Sequence, residues 1–309
     1  MNTTISNLYQ CGINGKVKSI ETKEYYISQK SGEIKKGKLK EYSLVVYNED
    51  GYMLSHNFRT SKFDMKILYE YDSNRNILKE SVYEKEVLDY EMIYKYDLNG
   101  NLIESLINSP NDTYCIGTNY EYDSKGNLIK EHMKNTEDFD REEIHKYDSE
   151  GKKIEFYSYS NGEPNSKNIY KYDLKGNTIE IDYYDSKEEL IGKHKYEYDS
   201  NGNKTEFVYL PDETLIKKNI LNANRKIIEM YLCNSEGNLY LKLKYNYNSL
   251  DNLMEKCSHD SNGNILYKET HEYELDQNNN WTKDIVLKNK RGSIIIIRKI
   301  DYYGKTQNE

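Results

Sequence analysis

The stretch YKYDLNGNLIES, residues 94–105, decides how the whole chain reads. Tyr94 and Tyr96 stand two apart, the period of a β-strand, so both rings fall on one face. Asp97-Leu98-Asn99-Gly100-Asn101 is turn chemistry. An Asp side chain accepts bonds from its own following backbone, and Gly enters the left-handed conformation without a Cβ clash. Leu102, Ile103 and Glu104 open a second strand, and the segment reads as a β-hairpin.

The same hairpin recurs along the chain. Clear copies start at Tyr69, Tyr94, Tyr120, His145, Tyr170 and Tyr196, and weaker ones at Asn219, Tyr245 and Tyr273. The starts are spaced 25, 26, 25, 25, 26, 23, 26 and 28 residues apart. Repetition at a fixed period marks an architecture built from one supersecondary unit. A still weaker copy begins near Val45, and another is expected near Tyr9, where Asn14-Gly15 supplies a turn. A second, variable turn follows each hairpin; these turns hold Pro110, Pro164, Pro211 and insertions such as 109–112.

Charge suggests the register. The residue between the two Tyr tends to oppose in sign a charged residue nine positions later: Glu70 with Lys79, Lys95 with Glu104, Glu121 with Lys130, Lys146 with Glu155 and Lys171 with Glu180. Opposite charges directly across a ladder contribute about 0.2–1 kcal/mol each. This register places Tyr122 opposite Ile129 on a buried face, with the matching apolar slots Leu78, Ile103, Ile154, Ile179, Ile228 and Met254, and puts the charged columns toward solvent.

The expected fold is all-β. It is a long antiparallel meander of about ten tandem β-hairpin repeats, about 25 residues each, coiled into a solenoid-like or curled sheet. Open twisted sheets rarely exceed about ten strands without curling. Residues 1–44 are assigned to an N-terminal cap and degenerate repeat, 45–284 to the repeats, and 285–309 to a C-terminal capping strand and tail. Ile294-Ile295-Ile296-Ile297 is too apolar for an exposed edge strand and is expected to be covered.

Composition agrees with strands. Ala223 is the only alanine, so helix formers are scarce. The mean hydropathy of −0.98 and 31% charged residues would suit a disordered chain, but 33 Tyr at regular intervals do not. The net charge of −8 and the lack of a basic stripe argue against nucleic acid as a partner. No apolar run reaches the ~18 residues of a membrane span, and the first residues lack the features of a signal peptide. The expectation is a cytoplasmic protein with four free thiols: Cys11, Cys115, Cys233 and Cys257.

No catalytic or cofactor constellation emerges. Asp97, Asp199 and Asp260 open segments like the start of a calcium loop, but the twelfth positions hold Asn108, Leu210 and His271 rather than Glu. Turn chemistry explains them without metal. His145 replaces a repeat Tyr and reads as a packed histidine. One variable turn is unusual: Phe139 sits among Glu137, Asp138, Asp140, Glu142 and Glu143. An aromatic within an acidic rim is the candidate protein contact.

Tyr-x-Tyr-Asp-x-x-Gly-Asn-x-Ile resembles the YD repeat of bacterial Rhs-type proteins, with six close copies from Tyr69 to Phe207. Large members of that family coil a β-sheet into a shell around a toxin, and smaller relatives are cell-surface or carbohydrate-associated. This chain is too short to enclose a toxin domain, so the resemblance implies the fold and not the shell function. The expected function is a non-catalytic protein-binding repeat module. One concrete form is an immunity or adaptor protein that captures a toxin or effector. The alternative is a carbohydrate-binding or structural cell-surface repeat protein.

Overall fold

The computed structural model describes residues 12–30, 33–110, 115–289 and 291–304. The repeat expected near Tyr9, and Cys11, lie outside them. Among the described residues, twenty-two strands follow one another. The first eleven are β1 (Val17–Lys30), β2 (Glu33–Tyr47), β3 (Met53–Arg59), β4 (Asp64–Tyr71), β5 (Ile77–Glu84), β6 (Val87–Tyr96), β7 (Leu102–Asn108), β8 (Cys115–Tyr122), β9 (Leu128–Asn135), β10 (Asp140–Tyr147) and β11 (Lys153–Ser160). The rest are β12 (Glu163–Tyr172), β13 (Thr178–Tyr184), β14 (Leu190–Tyr198), β15 (Lys204–Tyr209), β16 (Leu215–Leu221), β17 (Ile227–Cys233), β18 (Leu239–Tyr247), β19 (Leu253–His259), β20 (Ile265–Leu275), β21 (Trp281–Lys288) and β22 (Arg291–Tyr302).

Antiparallel ladders join successive strands in one 22-stranded sheet. The expected solenoid or curled open sheet does not form. β1 pairs with β2 on one side and with β22 on the other, with Ile20 opposite Ile300 and Glu24 opposite Ile296. The meander is therefore a closed antiparallel β-barrel. The physical reason is the edge problem. An open meander would leave the backbone of β1 and the isoleucine run of β22 unpaired, and closure removes both edges. The run Ile294–Ile297 is covered by pairing on both sides, with β21 and β1.

Contacts divide the chain into two compact units, residues 1–116 with 269–309, and residues 117–268. The first unit holds the hydrophobic cluster found among the described residues. Val17, Ile20 and Tyr47 are buried there, with Ile13, Val45, Met53, Ile300 and Tyr302 against them. It lies at the β1–β22 closure. Cys115, Cys233 and Cys257 are free thiols.

The repeat turn forms as its residues dictate. Asp97 Oδ1 accepts the backbone N–H of Asn99 at 2.9 Å and of Asn101 at 2.8 Å, and Asn101 Nδ2 donates to Oδ2 at 2.9 Å. Gly100 adopts φ +82°. The same bonds recur at Asp72, Asp123, Asp173, Asp199 and Asp260.

The register is half as expected. Lys95 faces Glu104, with Nζ 2.9 Å from the carboxylate, and Lys146 faces Glu155, also at 2.9 Å. Beyond that pair the ladder slips by one. Tyr96 faces Leu102 rather than Ile103, and the same irregularity follows Glu70, Lys146, Lys171 and Asn246. The apolar slot expected to be buried is thus displaced: Leu78, Ile103, Ile179 and Met254 are exposed.

A bond from the next repeat accompanies the slip. Tyr96 Oη donates to the carbonyl of Ile77 at 2.8 Å, and the second Tyr of five other copies does the same. The pairs are Tyr71 to Met53, Tyr147 to Leu128, Tyr172 to Lys153, Tyr198 to Thr178 and Tyr247 to Ile227. A bulge takes a backbone group out of its regular ladder, and the tyrosine satisfies it. Two second-Tyr positions hold leucine: before Leu221 the ladder β14–β15 shows no register shift where Tyr198 meets Lys204, whereas before Leu275 the ladder β18–β19 still slips after Asn246, so the tyrosine bond accompanies the bulge without being required for it.

Candidate functional site

Successive strands run antiparallel, so turns alternate between two edges of the sheet. Within residues 117–268 the Tyr-x-Tyr strands end on one edge and the variable turns line the other. The candidate residues belong to the variable edge, in the β9–β10 turn.

Asn135 builds that turn. Its Oδ1 accepts the N–H of Glu137 at 2.9 Å and of Phe139 at 2.8 Å. Asp138 takes the left-handed slot at φ +68°, and Phe139 is 41% exposed. Asp140 closes the base, 2.8 Å from His132 Nε2 and 3.1 Å from Lys134 Nζ. Those two bonds, His132 first, hold its carboxyl below the ordinary aspartate range.

The six residues do not form one patch. Glu137, Asp138 and Phe139 share the tip. Glu142 turns to the sheet face that carries the charge pairs and meets Lys130 at 2.7 Å. Glu143 turns to the tyrosine face, opposite Glu131, and meets Arg141 at 2.6 Å. Burial pushes the Glu131 carboxyl up.

The rest of the variable edge was not singled out from sequence. Ile191, Tyr240, Ile265 and Leu266 are 54%, 54%, 60% and 56% exposed, and each lies at or beside a variable turn. With Phe139 they set large apolar side chains along one edge of this unit. The opposite edge exposes Leu174 and Leu250. The signal was available in the variable turns, but it needed the strand order to show that they share an edge.

Other sequence candidates resolve into structure. The turn carboxylates Asp97, Asp123, Asp173, Asp199 and Asp260 spend both oxygens on their own turns. The Asn side chain four residues on is the leading cause of their lowered pKa values. No cluster of three or more metal-type ligands occurs among the described residues. His145 is buried, 5.3 Å from the Phe156 ring, and neither ring nitrogen has a hydrogen-bond partner. Burial lowers its pKa, with Lys153 adding to the shift.

No protein-family model matches this sequence, and no curated protein does. Solved structures offer distant likenesses. A crystal structure of TcdB2-TccC3 without its hypervariable C-terminal region aligns with 80% of this chain and 16% of its own, at 11% identity and a TM-score of 0.31. A porin-like protein from Bacteroides uniformis aligns with 92% of this chain and 96% of its own, at 10% identity and a TM-score of 0.31. One from Bacteroides vulgatus gives 94% and 100%, at 13% identity and a TM-score of 0.26. This chain spans less than a fifth of the TcdB2-TccC3 chain. Scores this low carry no function to it, and the YD-repeat resemblance stands on the repeat residues alone. No helix among the described residues is long and apolar enough to cross a membrane, which says nothing of a β-barrel.

Proposed function

We propose that the chain is a non-catalytic protein-binding repeat module whose contact surface is the variable-turn edge of residues 117–268. The observation that carries this reading is the row of exposed Phe139, Ile191, Tyr240, Ile265 and Leu266 along that edge. Single exposed apolar residues are ordinary on any surface, and what sets these apart is that they recur along one edge. Aromatic and large aliphatic side chains within a polar surround supply most of the energy in protein contacts. An immunity or adaptor protein that captures a toxin or effector is the concrete form suggested by the YD-repeat resemblance.

Charge placement supports contact with water on both sheet faces. A lipid-facing barrel wall needs an outward apolar band about 25 Å tall. Here Lys79–Glu91, Lys95–Glu104 and Lys242–Glu229 pair between neighbouring strands on one face. Glu80, Glu131 and Glu206, each half-buried, occupy the tyrosine face.

The carbohydrate reading has one supporting feature. An open pocket of about 530 Å³ sets Asn222, Glu229, Lys244, Asn246, Asn248 and Asp251 beside Ile220, Ile228, Tyr245 and Tyr247, so that donors and acceptors for sugar hydroxyls stand next to two tyrosines. Binding on a glycan array, lost in Asn246→Ala, would favour it over protein capture.

The test of the main reading uses the immobilised full chain to capture proteins from a lysate of the source cells, followed by titration calorimetry with the purified partner. The expected result is a stoichiometric complex weakened at least about tenfold by combining Phe139→Ser, Ile191→Ser, Tyr240→Ser and Leu266→Ser. A complex indifferent to those four changes would contradict the assignment of the edge.

A further inference from the structure

The two edges of the 117–268 unit differ in charge as well as in apolar exposure. The variable-edge turns, 135–140, 160–164, 185–189, 210–214, 234–238 and 260–264, carry eleven carboxylates and one lysine. The turns of the other edge, 123–127, 148–152, 173–177, 199–203, 222–226 and 248–252, carry six carboxylates and five basic side chains. Turn chemistry alone does not account for the difference, because both edges use Asp or Asn to accept their own backbone bonds.

Some of that charge is neutralised locally. Glu213 meets Lys193 at 2.7 Å and Lys195 at 2.9 Å, and these two lysines pull its carboxyl down to about 2. Asp140 is held by His132 and Lys134. Glu188 has Lys167 at 3.7 Å, at the limit of an ion pair. Glu137, Asp138, Glu163, Glu188 and Glu189 remain exposed on the same edge as Phe139 and Ile191.

We infer that this edge docks a basic amphipathic segment of a protein partner, with lysines or arginines against the carboxylates of the 135–140, 160–164 and 185–189 turns and apolar side chains against Phe139 and Ile191, a span of about 19 Å that a short helix covers. The inference rests on the protein-binding reading and adds the chemistry of the partner. Exposed apolar groups supply contact energy. The carboxylates between them supply steering and reject acidic partners, because like charges brought together repel. A nucleic acid, or a membrane with anionic headgroups, has the wrong sign for this edge.

The test is fluorescence anisotropy at physiological salt with the full chain and two labelled peptides of about 18 residues. One places Lys and Leu on opposite helical faces, and the other replaces Lys by Glu. The Lys/Leu peptide is expected to bind, more weakly as salt rises, and the Glu/Leu peptide is not. Glu137→Gln/Glu163→Gln/Glu188→Gln is expected to weaken binding about tenfold. Glu70→Gln/Glu121→Gln/Glu197→Gln changes net charge equally at exposed positions away from this edge, and it is expected to weaken binding less than about twofold. Unchanged melting temperatures confirm that each variant folds.

Equal losses in the two triple variants would overturn the inference, since the attraction would then belong to net charge. Binding of the Glu/Leu peptide, or no binding of the Lys/Leu peptide, would overturn it as well. A lysate partner that is itself acidic would sink the basic-segment inference and leave protein binding standing, so the two readings fail separately.

Discussion

Tyr172 Oη donates to the carbonyl of Lys153 at 2.6 Å, in the strand that opens the preceding hairpin's second half. The bond joins one repeat to the next at the place where the ladder slips between Lys153 and Tyr147. Six such bonds tie one repeat to the next, which couples neighbours along the meander.

Removing that hydroxyl should show its worth. Tyr172→Phe leaves a carbonyl without its partner, at a cost of about 1–2 kcal/mol. Tyr170→Phe, on the same strand and face, removes a hydroxyl outside this series and should cost less than about 0.5 kcal/mol. Urea midpoints of the two variants give the comparison, and equal shifts would mean that the inter-repeat bond carries no special role.

His145 occupies a tyrosine slot without a hydrogen-bond partner, and its folded pKa lies below the ordinary histidine value. A depressed folded pKa means that the unfolded chain takes up the proton first. The neutral, buried ring therefore contributes stability above about pH 6.5, and that contribution is lost as pH falls through the folded value. His145→Phe should remove this loss, so the variant gains on the parent at pH 5 relative to pH 8. A pH-independent difference in melting temperature between the two would contradict the assignment.

The turn aspartates act in the same direction at lower pH. Asp97, Asp123, Asp173, Asp199 and Asp260 have lowered pKa values, chiefly through the Asn side chain four residues on. Their contribution is complete above the ordinary aspartate value and is lost as pH falls through the lowered one. Carbon-detected titration of the carboxyls should place all five below unpaired Asp. Asp199→Asn, which keeps an acceptor oxygen, should flatten part of the acid limb of stability.

Glu188 sits at φ +59° in a slot where Gly176 and Gly202 serve in other turns. A side chain in this region costs about 1 kcal/mol relative to glycine. Glu188→Gly should therefore raise stability by about 0.5–1 kcal/mol, measured by thermal melting. A loss would show that the 3.7 Å contact with Lys167 outweighs the backbone cost.

Much of the hairpin was legible in the sequence, because its causes are local. Asp97 and Asn101 make their turn from five residues, and Lys95 finds Glu104 across that turn. The displacement of Ile103 was not legible. It follows from a bulge where Tyr96 meets Leu102, and alternation within one strand cannot report a bulge. Closure was hidden for the same reason on a longer scale, since Ile20 and Ile300 pair from opposite ends of the chain. Phe139 stood out alone in the sequence. Ile191, Tyr240 and Leu266 joined it only when strand order put their turns on one edge.

The pairing of β1 with β22 bears most directly on the whole account, because it turns the expected open repeat into a closed one and covers Ile294–Ile297. Amide hydrogen exchange of the intact chain, followed by mass spectrometry, reads it. Peptides spanning Ile20–Tyr26 and Ile294–Ile300 should exchange as slowly as those of β12 and β13, which have partners on both sides. Rapid exchange in both segments, at the rate of a frayed edge, would show an open sheet and contradict the closed barrel.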